Sequence, residues 1–96
     1  MDVLVTYDVN TETRDGRRRL RKVATACKDF GQRVQYSVFE CRVSEAQLES
    51  LREELLRIIE KEEDSLRIYR LAQPREDHLE CHGLDSYVSY EDPLIF

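Results

Sequence analysis

The residue types that stabilise small secreted domains or form nucleotide sites are scarce in this 96-residue chain. It contains no tryptophan, three glycines, two prolines and three cysteines. The glycines form neither a phosphate-binding loop nor a dinucleotide-binding motif, so nucleotide cofactors are not expected. No apolar run approaches the ~18 residues that a transmembrane helix needs. We therefore expect one domain with no membrane segment.

The cysteines are odd in number and widely spaced, which argues against a disulfide framework. Cys27, Cys41 and Cys81 form no CxxC pair, and we expect three reduced, buried thiols. Residues 1–4 lack the basic region and long apolar core of a signal peptide. These features predict a cytoplasmic protein. A domain this small buries only about two thirds of the surface of its unfolded chain, so a dimer is plausible.

The net charge of -5 taken alone argues against nucleic-acid binding, but the charges are segregated along the chain. Residues 14–33 carry eight basic and two acidic residues, whereas residues 44–64 carry eight acidic and three basic ones. A local basic stripe can bind phosphates on an acidic chain. Helical spacing places four cations on one side of a helix, although a solvated helix face would show the same pattern. These four are Arg17, Arg18, Arg21 and Lys22.

The first half of the chain shows two changes of hydrophobic period. Residues 1–9 alternate as a strand that is largely apolar on both faces until Asp8, which is typical of a central strand covered on both sides. Residues 14–30 have apolar positions at helical spacing. Residues 33–43 are β-rich, and their alternation changes phase near Ser37. This pattern predicts either one bent strand or two short ones.

The second half predicts a helix over residues 44–64, which begins with a capping box, and a strand over residues 65–71. A further short strand is expected over residues 78–82, with Leu79 and Cys81 turned inward. The element order predicts an α+β fold of the ferredoxin-like βαββαβ type, an antiparallel sheet with both helices on one face and an extra C-terminal strand or tail. The open face of the sheet would need a cover, which a second protomer would supply.

Two groups of residues could bind a metal. Asp8 ends an apolar strand before a polar loop, and Mg²⁺ is often held by one or two carboxylates plus waters. A two-fold dimer would bring two Asp8 side chains together, but an Asp at this position also commonly begins a turn by bonding its own backbone. His78, Cys81 and His82 are interpreted as structural, because a zinc site usually needs four ligands at set spacings.

Two segments and the helix between them resemble one known family. Residues 5–9 read VTYDV, residues 31–40 read GQRVQYSVFE, and an arginine-rich helix separates them. Over residues 1–83 the chain is similar to the CRISPR-associated protein 2 family. The resemblance implies a ferredoxin-like homodimer over residues 1–83. It also implies that the last strand or tail, residues 84–96, extends the sheet of the partner protomer.

The resemblance further implies a place in the spacer-acquisition complex. There the dimer would sit between copies of CRISPR-associated protein 1, the integrase, and hold the duplex DNA of the incoming spacer. The family is also described as a Mg²⁺-dependent nuclease acting on single-stranded RNA or double-stranded DNA. Its strand-one aspartate corresponds to Asp8, which becomes the candidate catalytic residue and metal ligand.

Other candidate site residues follow from the resemblance and the basic segment together. Tyr7, Ser37 and Phe39 are expected to support the site, although Ser37 and Phe39 are equally suited to packing or to a dimer contact. The candidate nucleic-acid contacts are Arg14, Arg17, Arg18, Arg21 and Arg33.

Three functions are consistent with these residues. The first is a non-catalytic adaptor that holds DNA for the integrase, and we favour it as the biological role. The second is a metal-dependent phosphodiesterase, an activity that the same site can support. The third is a toxin-like endoribonuclease that acts alone and needs a metal.

Overall fold

The computed structural model describes residues 1–83 and has the predicted ferredoxin-like α+β architecture. A four-stranded antiparallel sheet carries two α-helices on one face, and the strand order is β2-β3-β1-β4. The elements are β1 (Asp2–Asp8), α1 (Arg14–Lys28), β2 (Gly31–Gln35), β3 (Val38–Arg42), α2 (Glu45–Ile58), β4 (Ser65–Arg70) and a short 3-10 helix (Arg75–His78). The expectation for the tail, residues 84–96, lies outside the described residues.

The core lies between the sheet and the two helices. Successive residues of a strand point to opposite faces, so Val3, Val5 and Tyr7 of β1 turn together toward the helices and are buried. Leucines on one side of α2 meet them. The buried core also includes Val23, Ala26, Cys27, Phe39, Cys41, Val43, Leu48, Leu51 and Leu55. No helix within residues 1–83 is long and apolar enough to cross a membrane.

The predicted phase change near Ser37 is a chain reversal between two strands. β2 and β3 pair in an antiparallel hairpin, with a register shift between Arg33 and Gln35. The turn exposes Tyr36, whose side chain is 88% accessible. The segment is therefore two short strands, because the chain reverses in the turn at residues 36–37. The extra residue at the irregularity also changes which face the side chains of β2 occupy.

α2 begins as predicted but is shorter than expected. The Ser44 hydroxyl accepts from the Gln47 backbone N–H at 3.1 Å, and the Gln47 side chain accepts from the Ser44 N–H at 2.9 Å. The predicted helical extent to residue 64 was wrong. The helix ends at Ile58 because Ile59 is extended and the Glu60 N–H bonds the Asp64 carboxylate, at 2.9 Å, instead of continuing the helix.

The expected strand over residues 78–82 is also absent from the described part of the chain. Residues 79–83 form no strand pairing there, and Leu79 is 38% exposed. Cys81 is exposed, so the expectation of three buried thiols was wrong. Cys27 and Cys41 are buried, and burial raises the pKa of Cys27 to about 12 and that of Cys41 to about 11. Both are therefore protonated thiols at neutral pH.

The first turn of α1 packs closely against the loop that follows β1. The Thr13 hydroxyl caps the helix by accepting from the Gly16 N–H at 3.0 Å. A methyl group at Gly16 would overlap the backbone carbonyl of Asn10. Gly16 is required here because of the close approach of two backbone segments, and it holds the loop against the helix.

Replacing Gly16 with alanine is expected to destabilise the protein by about 1–3 kcal/mol, the usual cost of overpacking. In an open helix the same change would instead stabilise by about 1 kcal/mol. Urea denaturation measures the difference, with Ser50→Ala on the exposed side of α2 as the control, expected within about 0.5 kcal/mol of the parent. A stabilised Gly16→Ala variant would show that the loop does not approach the helix as described.

Candidate functional site

The alternation of β1 separates core residues from candidate site residues. Val3, Val5 and Tyr7 face the helices, so Asp8 lies on the opposite face of the sheet, together with Thr6. We call this face, which no α-helix of residues 1–83 covers, the outer face. Strand register extends it across the sheet, because directly paired residues lie on the same face. Thr6 pairs with Val38 of β3 and Arg67 of β4, and Asp8 pairs with Ser65.

The segment after β4 covers the outer face at the end away from Asp8. The Gln73 side chain donates to Asp2 Oδ2 at 3.1 Å, and Arg42 donates to Asp2 Oδ1 at 3.2 Å. Arg75, from the 3-10 helix, forms an ion pair with Glu40. Burial acts to raise the pKa of Asp2, but the bonds from Gln73 and Arg42 outweigh it and lower the pKa. This end of the outer face is occupied by partnered charges.

The other end of the outer face is open around Asp8. Asp8 is exposed, and none of residues 1–83 forms a hydrogen bond or ion pair with its side chain. Ser65 and Arg67 are also exposed, and Tyr69 is 43% exposed. We call this open area the outer patch. It consists of Thr6, Asp8, Val38, Ser65, Arg67 and Tyr69.

The outer patch fits a hard cation held by few protein ligands. An Asp carboxylate is a preferred ligand of Mg²⁺, which usually keeps several waters and binds through one or two carboxylates plus substrate phosphates. Residues 1–83 contain no cluster of three or more His, Cys, Asp or Glu suited to a metal. Among residues 1–83, Asp8 is the one carboxylate of the outer patch. Within the described residues, His82 Nε2 lies 3.2 Å from Glu80 Oε2, and both side chains are highly exposed.

The buried carboxylate of Asp64 holds the loop that follows Asp8. It accepts from the Asn10 N–H at 3.0 Å, from the Glu60 N–H at 2.9 Å and from Arg19 Nε at 2.8 Å. Burial acts to raise the pKa of Asp64, but Arg19 and the two backbone donors outweigh it and lower the pKa. The sequence pattern placed Asp64 only in an acidic helix end. Its partners Asn10 and Arg19 lie 54 and 45 residues away in the chain, so no local pattern indicated these contacts.

The arginine stripe of α1 consists of Arg14, Arg17, Arg18 and Arg21, all of which are exposed. Arg17 Nη1 donates to the Thr11 carbonyl at 3.1 Å, in the loop after Asp8. Arg18 and Arg21 line a groove of about 320 Å³ between α1 and α2. Lys22, Thr25, Ala26, Glu54 and Ile58 complete the lining. The helices and the outer patch are on opposite faces of the sheet, so the groove and Asp8 do not form one pocket within a chain.

Arg33 does not join the arginine stripe. Its guanidinium carbon lies 5.2 Å from the centre of the Phe39 ring, on the helix-facing side of the sheet. Phe39 is fully buried, and its ring stacks on Tyr7 with 6.3 Å between centroids. Burial raises the pKa of Tyr7, and the positive charge of Arg33 opposes part of that rise. Neither the Tyr7 hydroxyl nor Arg33 Nε has a hydrogen-bond partner in the described part of the chain.

Tyr7 and Phe39 therefore pack together on the core side of the sheet, and Ser37 lies in the turn between β2 and β3. The Tyr7 N–H donates to the Ser37 carbonyl at 3.1 Å, which joins the strand end to the β2–β3 turn. The supporting roles expected for Tyr7, Ser37 and Phe39 stay predictions. Phe39 is a core packing residue, which is one of the roles that the sequence analysis considered for it.

Arg67 and Tyr69 of the outer patch were not among the candidate site residues predicted from the sequence. Arg67 Nη1 donates to the Tyr69 hydroxyl at 3.0 Å. A signal was present, because alternation in β4 puts Ser65, Arg67 and Tyr69 on the face opposite Leu66 and Ile68. The pairing of β4 with β1 is needed to show that this polar face lies beside Asp8.

Known proteins that resemble the chain cover almost its whole length. A family described as CRISPR associated protein Cas2 matches residues 1–78. The CRISPR-associated endoribonuclease Cas2 1 of Moorella thermoacetica is 54% identical over 95 residues, covering 99% of both chains. The CRISPR-associated endonuclease Cas2 of Halalkalibacterium halodurans is 54% identical over 96 residues, covering 100% of both. The crystal structure of Streptococcus pyogenes Cas2 at pH 6.5 superposes with a TM-score of 0.78 and 52% identity, over 86% of this chain and 100% of that one.

Replacing Asp64 with asparagine is expected to destabilise the protein by about 3 kcal/mol at pH 7, the cost of breaking a buried ion pair. The folded-state pKa of Asp64 is depressed. Its stabilising effect is therefore present above the unfolded value of about 3.9 and is lost as the pH falls through the lower folded value. Urea denaturation at pH 7 and at pH 3 measures this.

The exposed Glu62, in the same turn, provides the control. Glu62→Gln is expected to change stability by less than about 0.5 kcal/mol. Equal destabilisation by Asp64→Asn at both pH values would contradict the ionic role of Asp64.

Proposed function

The chain belongs to the CRISPR-associated protein Cas2 family, and on that premise we propose that it is a dimeric, nucleic-acid-binding protein of spacer acquisition with a Mg²⁺-dependent nuclease site at Asp8. The observation that carries the site is the exposed Asp8 carboxylate, which has no partner in residues 1–83. Asp2, the other acid of β1, is bonded by Arg42 and Gln73, whereas no contact within residues 1–83 explains an acid at position 8. Two relatives bear the names endoribonuclease and endonuclease, which supports phosphodiester chemistry.

The outer face supports the proposed dimer. Val38 and Thr6 of the outer patch are only half-buried, and residues 71–83, the described part of the segment after β4, cover only the Asp2 end. A two-fold partner that packs on this face would cover them and bring a second Asp8 close to the first. The pair would then supply the two carboxylates that suit Mg²⁺. The cleft between the copies would admit a nucleic-acid strand.

The residues of the chain have separate tasks in this proposal. Asp8 would hold the cation, which when bound supplies Lewis-acid stabilisation of the phosphate and activates a water nucleophile. Asp64 and Gly16 fix the loop beyond Asp8, and Tyr7 supports the strand from the core. The substrate class is single-stranded RNA or double-stranded DNA.

The arginine stripe serves the adaptor role. Arg18 and Arg21, with Lys22, place three cations along one groove on the helix side of the sheet. Clustered cations neutralise backbone phosphates without reading sequence. We assign this groove to the duplex of an incoming spacer, held in the cytoplasm for the integrase, CRISPR-associated protein 1. In this proposal the helix side of the sheet binds duplex DNA, and the outer face carries out the phosphodiester chemistry.

The nuclease site is tested with labelled duplex DNA and labelled single-stranded RNA, each with Mg²⁺ and with EDTA. Cleavage is expected to require Mg²⁺ and to be lost in Asp8→Asn, because the amide removes the charge that holds the cation. Asp15→Asn, an exposed change in the first turn of α1, is the control and should cleave as the parent does. Equal cleavage by Asp8→Asn, or cleavage in EDTA, would contradict the site.

The same assay separates the adaptor from an enzyme that acts alone. Binding without cleavage of either substrate would support the adaptor role and contradict the nuclease activity. A toxin-like endoribonuclease instead predicts cleavage of RNA without the integrase and growth arrest on overexpression, both abolished by Asp8→Asn.

The groove is tested by the salt dependence of duplex binding. Each phosphate contact contributes about 0.9 to the slope of log K against log salt concentration on duplex DNA. Lys22→Gln and Arg21→Gln are each expected to reduce the slope by up to about that amount. Lys61→Gln, in the turn before β4, removes one exposed charge elsewhere and should leave the slope unchanged. Equal slopes for Lys22→Gln and Lys61→Gln would contradict the assignment of the groove.

A further inference from the structure

A hydrogen-bonded pair on the outer patch, Arg67 with Tyr69, has no role in the function proposed above. Arg67 pairs with Thr6 in the strand register, and Asp8 pairs with Ser65. Arg67 and Asp8 are therefore diagonal neighbours on one sheet face, with Cα atoms about 7–8 Å apart. This separation is within reach of a long side chain. A guanidinium next to an unpaired carboxylate would ordinarily form an ion pair with it.

The structure shows Arg67 turned the other way. Its Nη1 donates to the Tyr69 hydroxyl at 3.0 Å, and Tyr69 pairs with Leu4, one step farther from Asp8 along β1. No ion pair between Arg67 and Asp8 is present among the described residues. The Tyr69 hydroxyl orients the Arg67 guanidinium by accepting one of its hydrogen bonds. Because a guanidinium has five N–H donors, most of them remain available to another acceptor.

The consequence for Asp8 is that its oxygens remain available to a cation. An ion pair with Arg67 would occupy the carboxylate and add a positive charge that repels a divalent ion. Exposed pairs of this kind stabilise by up to about 1 kcal/mol, which corresponds to a factor of about five in an equilibrium constant. A phosphate oxygen facing the Asp8 cation would at the same time lie within reach of the free donors of Arg67, whose planar fork matches phosphate geometry.

We propose that Arg67 is a phosphate-contacting residue of the outer patch and that Tyr69 is a positioning residue that holds Arg67 away from Asp8. The proposal rests on the function proposed above, because it assigns Arg67 and Tyr69 to the cation and nucleic-acid site of Asp8. The site would recognise a phosphodiester group of a nucleic-acid strand, with no contact to a base. A surface pair without function is the opposing explanation.

Divalent-ion binding tests the positioning role without any cleavage. Mn²⁺ is titrated into each protein, and the free ion is followed by electron paramagnetic resonance. Asp8→Asn is expected to lose binding. Tyr69→Phe, which keeps the ring and removes the hydroxyl, should weaken binding by up to about five-fold, because Arg67 is then free to pair with Asp8. In Arg67→Gln the further change Tyr69→Phe should have no effect.

Nucleic-acid binding in EDTA tests the phosphate contact. Arg67→Gln is expected to reduce the salt slope for single-stranded RNA by about 0.7, the contribution of one phosphate on a single strand. Arg67→Lys should retain most of the slope but bind more weakly, because it keeps the charge and loses the fork. Lys61→Gln is the matched loss of one exposed charge and should bind as the parent does. Circular dichroism and thermal unfolding confirm that each variant folds.

The outcomes separate this inference from the proposed function. If Asp8→Asn lowers Mn²⁺ affinity while Tyr69→Phe does not, the metal site stands and the positioning role of Tyr69 is overturned. If Arg67→Gln and Lys61→Gln bind RNA with the same slope, the phosphate contact is overturned. If Asp8→Asn binds Mn²⁺ as the parent does, or if the parent binds neither Mn²⁺ nor RNA, the proposed function fails and this inference fails with it.

Discussion

The carboxylate of Asp64 is the contact on which the geometry of the site depends. It is buried and accepts hydrogen bonds from Arg19 of α1, from Asn10 in the loop after β1 and from Glu60 in the turn before β4. Three chain segments far apart in sequence thus meet at one charge. Burying a carboxylate is costly unless its oxygens accept hydrogen bonds. Removing any one of the three donors would therefore weaken the contact that joins the three segments. The loop beyond Asp8 is consequently fixed.

The alternation of β1 then separates two kinds of surface. Tyr7 faces the core, where it stacks on Phe39, and Asp8 faces the open end of the outer face. The arginine stripe is on α1, one of the two helices that cover the other face of the sheet. The proposed cation site at Asp8 and the basic groove therefore lie on opposite faces of the sheet, where neither neutralises the other. The net charge conceals this arrangement, because it sums over both faces.

Local patterns predicted the elements, and distant contacts decided where several of them end. The period of the apolar residues predicted β1 and α1, and the spacing of Ser44 and Gln47 predicted the capping box of α2. These signals all lie within a few residues of one another. The end of α2 depends on Asp64, whose partners are up to 54 residues away, and no local pattern reveals them. Asp8 became the site candidate from its place at the end of an apolar strand together with the family resemblance. Arg67 was not, because only strand register places it beside Asp8.

The most direct test of the account is the location of a bound divalent ion in solution. Paramagnetic broadening by Mn²⁺ in the ¹H–¹⁵N spectrum reports which backbone amides lie near the ion. The account predicts that the amides of Asp8, Ser65 and Arg67 broaden first, and that Asp8→Asn abolishes this. Broadening centred instead on the acidic turn at residues 60–63, and unchanged in Asp8→Asn, would contradict it.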